Sequence, residues 1–295
     1  MSFWRSLPLI LKATAASWDN HNAPRLGASL AYYTLLSLAP LSILIVAICS
    51  VVLSENTAEH EVLARVREVA GASSANTIKM LLSNAHQHNG VVATTIAFAT
   101  LLFGASGVFV ELRDSLNTIW DAPVPQSSGW RSVVHQRLLS FAMVLALCVL
   151  LLTSLLVSAG LALAEKLFSS AVPLHFSLLG EVANVLFTLI AFAVLFGLIF
   201  KFVPNVPIRW KEVTVGALAT AILFAIGKAL LAWYFSTAAV GSTYGAAGSL
   251  VALVAWVYYS AQIFFFGAVF TRVYADRFGS ATAKRERKQA RHQKP

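Results

Sequence analysis

Six long apolar blocks punctuate the chain, at residues 26–53, 91–111, 136–163, 179–203, 212–235 and 246–271. Each is about 20 residues or longer, the length a helix needs to cross a hydrocarbon layer ~30 Å thick. None shows the ten-residue alternation of an outer-membrane barrel strand, and a backbone inside lipid has to satisfy its own hydrogen bonds. The pattern therefore predicts an all-α, polytopic membrane helical bundle of about six spans. An even number places both ends of the chain on one side.

The segments between the blocks define the remaining organisation. Residues 1–25 combine Trp4, Leu7, Leu9, Ile10 and Leu11 with Arg5 and Lys12 and show no small-residue cleavage site. They read as a retained segment that forms a helix lying in the interface. Residues 26–275 form the six-helix domain, and 276–295 a basic tail. The one long loop, 54–90, repeats Val62, Leu63, Val66 and Val69, then Ile78, Leu81, Leu82 and Ala85, at helical spacing. Two short amphipathic helices over the outer mouth of the bundle are expected there. Prolines mark turns at 121–125 and 203–207, while Pro40 lies inside the first block and is expected to kink it.

Composition strengthens this reading. The chain is 58% hydrophobic and 12% charged, with a mean hydropathy of +0.72, whereas a soluble domain carries about 25% charge. The net charge of +9 raises the question of a nucleic-acid partner, and the distribution of that charge answers it. With both tails and the second and fourth loops on one side, that side holds 17 of the Lys and Arg residues; Arg65, Arg67, Lys79 and Lys166 lie opposite. Such a bias places both termini in the cytoplasm and accounts for the high pI without nucleic acid. The bilayer is the expected partner. The tail AKRERKQARHQKP either contacts anionic lipid headgroups or is simply solvated.

Candidate chemistry is sparse. Cys49 and Cys148 sit inside apolar blocks, and His86 and His88 lack carboxylate or cysteine company, so neither a disulfide nor a metal site is expected. No Ser-His-Asp set, catalytic carboxylate pair or Walker loop is present, so neither an enzyme nor a cofactor is expected. Polar residues inside the blocks carry more information. Lys228 is the one basic residue well inside a span, where a cation is costly; it either snorkels toward the nearer surface or serves a polar cavity. Tyr33 and Ser37 in the first span, Tyr244 ahead of the sixth, and Tyr259 and Gln262 within it complete a candidate intramembrane site. Ala217 and Ala221 in span 5, and Gly248, Ala252 and Ala255 in span 6, form small-residue faces through which these two spans are expected to pack.

The segments ASLAYYTLLSLAPL at 28–41, ELRDSLNTIWDAP at 111–123, FKFVPNVPIRWKEVTVGALATAILFAIGK at 200–228 and STYGAAGSLVALVAWVYYSAQIFFFGAVFTRVYA at 242–275 closely resemble the YihY/BrkB family of bacterial inner-membrane proteins. The resemblance covers nearly the whole chain. It implies six transmembrane helices in the cytoplasmic membrane, and one branch of the family is associated with serum resistance. An older family label, ribonuclease BN, implies tRNA processing, but the few scattered acids here do not supply the metal-binding cluster that a hydrolytic nuclease requires. The family usually carries an acid where this chain has Val269, which counts against a proton or cation role at that position. The expected function is a transporter-like or flippase-like protein for a small or lipid-linked solute, with the polar faces of spans 1, 5 and 6 converging near Lys228. A structural or envelope-assembly role is the alternative.

Overall fold

The structure is a computed structural model that describes residues 3–49, 55–86, 107–122, 149, 175–237 and 248–279. In chain order the helices are α1 (Phe3–Asn20), α2 (Ala23–Cys49), α3 (Glu55–His86), α4 (residues 107–119), α5 (His175–Phe202), α6 (Trp210–Thr237) and α7 (Gly248–Phe278). Among the described residues, three helices are long and apolar enough to cross a membrane: α5 over Val185–Phe202, α6 over Trp210–Tyr234 and α7 over Leu250–Phe278. They coincide with the fourth, fifth and sixth apolar blocks. The first block falls on α2. Block 136–163 apart from residue 149, most of block 91–111, Tyr244, His88, Cys148, Lys166 and the tail past Gly279 lie outside the described residues.

Helix α6 shows why water is the wrong solvent. Leu218, Ile222, Ile226 and Leu230 repeat at four-residue steps and are all exposed. A contiguous apolar stripe of this kind would drive aggregation of a soluble protein; a hydrocarbon environment accommodates it.

The opposite face of α6 packs between α5 and α7. Phe192, Phe196 and Phe200 line one side of α5, and Phe224 of α6 and Phe264 of α7 close over them. Ring centroids lie 4.8 Å apart for Phe192–Phe224, 5.9 Å for Phe196–Phe264 and 5.2 Å for Phe200–Phe264. These spacings suit tilted aromatic packing. Val269 is fully buried in the same cluster.

The closest approach of α6 and α7 uses two matching pieces of sequence, GALAT at 216–220 and GAVFT at 267–271. A Cβ on Gly216 would lie 1.8 Å from Thr271 Oγ1, and one on Gly267 would lie 2.0 Å from Thr220 Oγ1. Each threonine thus occupies the space that the partner helix's glycine leaves empty, and the helices run antiparallel. Both hydroxyls are buried and donate within their own helix, Thr220 to Gly216 O and Thr271 to Gly267 O, each at 2.7 Å. Neither hydroxyl hydrogen is left without an acceptor.

This contact corrects the expected faces. Ala217 is buried, but against Gly197 of α5, 3.6 Å from the Cβ that Gly197 lacks. Ala221, Gly248 and Ala252 are buried as well, whereas Ala255 is exposed. Glycine permits a nearer backbone approach than alanine, so the helices meet at the glycines beside the alanine stripe.

Helix α3 is broken at Gly71, whose φ of 85° and ψ of 167° leave the helical region. A Cβ there would meet nothing within 4 Å; the positive φ, not crowding, calls for glycine. Both halves contribute apolar side chains, Ala58 and Val62 from the first and Ile78 and Leu82 from the second, to a cluster with Val46, Leu38 and Ile43 of α2. Helix α3 also packs along α7. Helix α1 docks on α7 too, burying Ile10 and Thr14 one turn apart, while Leu9 and Leu11 stay exposed. Asn22, with φ of 50°, turns the chain into α2.

Candidate functional site

The expected intramembrane site is only partly assembled. Lys228 Nζ lies 3.7 Å from Glu68 Oε1, which joins α6 to α3; the two side chains are 30% and 39% exposed. Tyr259 packs against Gly227 across the α6–α7 contact, its Cε1 3.0 Å from where a Cβ would stand. Gln262 turns to a different interface. Its Nε2 donates to Pro24 O at 3.3 Å and fills the space above Gly27 in the first turn of α2, and its Oε1 is buried with no hydrogen-bond partner among the described residues. Ser37 is fully buried, and its hydroxyl donates to Tyr33 O on its own helix at 2.6 Å. Tyr33 lies against Gly107 at the start of α4. Ser37 and Gln262 are engaged away from Lys228, Ser37 because a mid-helix serine finds its nearest acceptor on its own backbone.

The sequence reading missed the partner of Lys228. Glu68 belongs to a ladder on α3 in which Arg65 Nε donates to Glu61 Oε1 at 3.0 Å and Arg65 Nη1 to Glu68 Oε2 at 2.9 Å. The i, i+4 and i, i+3 spacings place all three on one helical face, and Lys228 extends the ladder to a second helix.

It also missed a second polar region. Arg272, counted above only as a topological charge, has a side chain just 11% exposed. Its Nη1 donates to Ile119 O and to His21 Nε2, the latter at 2.7 Å, and its Nη2 donates to Asp121 Oδ2 at 2.5 Å. Local structure prepares each partner. Helix α4 ends on Asp121 in the left-handed region (φ 47°), with Ala122 N donating to Asn117 O at 2.8 Å and Asp121 N to Thr118 O at 3.2 Å. That closing pattern is a Schellman turn, which leaves a carbonyl such as that of Ile119 in need of a donor. On the other side, His21 Nδ1 donates to Ser17 O at 2.5 Å, so in the neutral ring Nε2 is the acceptor that meets Arg272. Arg272 thus ties α7 to the α1–α2 turn and to the end of α4.

The turn between α5 and α6 is fastened to α4 nearby. Asn117 Oδ1 accepts from Asn205 N at 2.8 Å, Asn205 Oδ1 accepts from Arg113 Nη2 at 2.7 Å, and Lys201 Nζ donates to Ile208 O at 2.5 Å. Asp114, just past the apolar block that ends at 111, has its carboxyl raised above the usual range, first by burial and then by Glu111, with Arg113 pulling the other way. Among the described residues no three His, Cys, Asp or Glu side chains gather as a metal-binding group.

Comparison with known proteins places this architecture. The profile of the Virulence factor BrkB family matches residues 14–293. A UPF0761 membrane protein of Actinobacillus pleuropneumoniae is 26% identical over 275 residues, covering 90% of this chain and 93% of that protein. One from Mannheimia succiniciproducens is 24% identical over 282 residues, covering 92% and 91%. A longer relative from Verminephrobacter eiseniae is 29% identical over 178 residues, which is 59% of this chain and 40% of that protein. No solved structure matches the chain.

Proposed function

The chain belongs to the Virulence factor BrkB family and is an integral membrane protein, and from that premise we propose that it works as a transporter-like or flippase-like protein for a small or lipid-linked solute. In this reading it crosses the bacterial inner membrane six times with both ends in the cytoplasm, and its basic tail rests on anionic lipid. The 17-to-4 distribution of Lys and Arg and the antiparallel run of α6 and α7 support that topology. No enzymatic step belongs to the reading; among the described residues Glu61, Glu68 and Asp121 are paired with Arg or Lys.

The observation that carries the proposal is the Lys228–Glu68 pair. A charge inside a span is costly and marks a functional position by default. A partly exposed pair at 3.7 Å contributes only ~0–1 kcal/mol, too little to justify the cation as a fastening for the fold. Its value lies in a charge that can be uncovered when Glu68 turns away. The alternative, a structural or envelope-assembly role, draws support from Gln262 and Ser37, whose polar groups are used in helix packing.

The test is flipping of a fluorescent phosphatidylglycerol in proteoliposomes, read by chemical quenching of the outer leaflet. Wild type should exceed protein-free vesicles, and Lys228→Ala should fall to their level while keeping its thermal stability. Equal rates in wild type and Lys228→Ala would remove the site from the mechanism.

A further inference from the structure

Glu68 is held in the manner of a bound ligand. Its two carboxylate oxygens are taken by two cations on two helices: Oε2 by Arg65 Nη1 at 2.9 Å and Oε1 by Lys228 Nζ at 3.7 Å. We propose that Glu68 is a resident stand-in for a phosphate-bearing anion, and that Arg65 and Lys228 form the subsite which receives that phosphate when Glu68 withdraws. This rests on the Lys228 region being the working site of the protein.

Charge balance supports the exchange. Glu61, Arg65, Glu68 and Lys228 together sum to zero, and Arg65 keeps Glu61 at 3.0 Å whether or not Glu68 stays. Losing Glu68 leaves one uncompensated cation, Lys228, inside the apolar stretch of α6. An incoming singly charged phosphate restores neutrality, while Glu68, already 39% exposed, moves into water at little cost. The looser of the two contacts is the one that crosses between helices, so it opens first.

Depth points the same way. Lys228 lies six residues before Tyr234, where the apolar window of α6 closes, or ~9 Å at 1.5 Å per residue. Trp233 and Tyr234 are exposed there, as aromatic side chains at headgroup level are. A lysine spans much of that depth by extending along the helix, so its ammonium reaches phosphates at the membrane surface. Glu68 withdraws by turning its own side chain toward water, so that Arg65, one turn before it on the same helical segment, stays in place to act with Lys228. The ligand class is a phosphate anion, presented either by a lipid headgroup or by a soluble phosphate ester.

The experiment uses the full purified chain and native mass spectrometry of retained ligand. One arm presents phosphatidylglycerol against phosphatidylcholine in mixed micelles, and the other presents inorganic phosphate and glycerol 3-phosphate as competitors. Glu68→Gln removes the internal competitor and should raise phosphatidylglycerol retention about threefold to fivefold, the size expected for releasing one exposed ion pair. Lys228→Gln and Arg65→Gln should lower it to the phosphatidylcholine level. Displacement by the soluble phosphates assigns the subsite to a free phosphate ester; retention that resists them assigns it to the lipid headgroup. An ion pair with a purely structural role predicts the opposite sign for Glu68→Gln, so unchanged or reduced retention in a folded Glu68→Gln protein overturns the proposal. If that variant does not fold, wild-type retention in both Lys228→Gln and Arg65→Gln overturns it instead. Raised retention in a protein that flips no lipid keeps the subsite and removes the transport reading.

Discussion

Two cations, Arg272 and Lys228, sit on neighbouring helices and are held in opposite ways. Arg272 donates to a carbonyl, an imidazole and a carboxylate, with its side chain 11% exposed and partners drawn from two separate stretches of chain. Lys228 faces one carboxylate at 3.7 Å and is 30% exposed. From Gly216, which opposes Thr271 beside Arg272, to Lys228 is a rise of ~18 Å along α6. A buried, fully hydrogen-bonded cation is expensive to strip of a partner, while a loosely paired one exchanges partners readily. The first fastens the bundle, and the second leaves a charge free to be handed over.

Breaking the fastening should have the largest effect. Arg272→Gln leaves Asp121 and the Ile119 carbonyl without their buried donor and should cost about 3 kcal/mol or more, read as a marked fall in the thermal midpoint of the purified protein. A midpoint equal to wild type would make Arg272 an ordinary surface charge. A smaller loss is expected from Gly267→Ala. Its new Cβ would stand 2.0 Å from the buried Thr220 Oγ1, and overpacking of this kind costs ~1–3 kcal/mol. Adding Thr220→Ala should recover part of that loss in the same melting experiment, and no recovery would place the strain elsewhere.

The smallest effect concerns Asp114. Burial and Glu111 raise its carboxyl, so the folded chain binds this proton more tightly than the unfolded chain does. The stabilising contribution is present at low pH and is lost as pH rises through the raised value. Asp114→Asn should therefore be neutral or slightly stabilising at pH 7, within about 0.5 kcal/mol, because the carboxyl is only partly withdrawn from water. It should also flatten the pH dependence of the melting midpoint on the acid side. A stability loss at neutral pH would reverse that sign.

How far the sequence foretold each region follows from physical range. The apolar blocks of α5, α6 and α7 were legible because a helix buries or exposes whole faces at a fixed period, and the small-residue stripes correctly paired α6 with α7. The contacting face was misjudged, because alanine and glycine look alike as small residues, yet only glycine admits a threonine against the backbone. Lys228 was legible as a charge out of place. Glu68 was not, because 160 residues separate the pair and the apolar spacing of α3 overshadowed its charged face. Arg272 was hidden for a related reason. At the end of a span it serves the topology count equally well whether it faces water or Asp121. The signal that could have found it was the run of polar residues at block edges, with Arg113, Asn117, Asp121 and Asn205 all inside the segments that carry the family resemblance.

Hydrogen exchange of the whole protein in lipid nanodiscs compares the two regions in a single measurement. Amides of residues 61–70, ahead of the Gly71 break, should exchange markedly faster than those of 112–122, where Arg272 closes the end of α4. Equal protection of the two segments, or slower exchange ahead of Gly71, would contradict the assignment of one cation to fastening and the other to exchange.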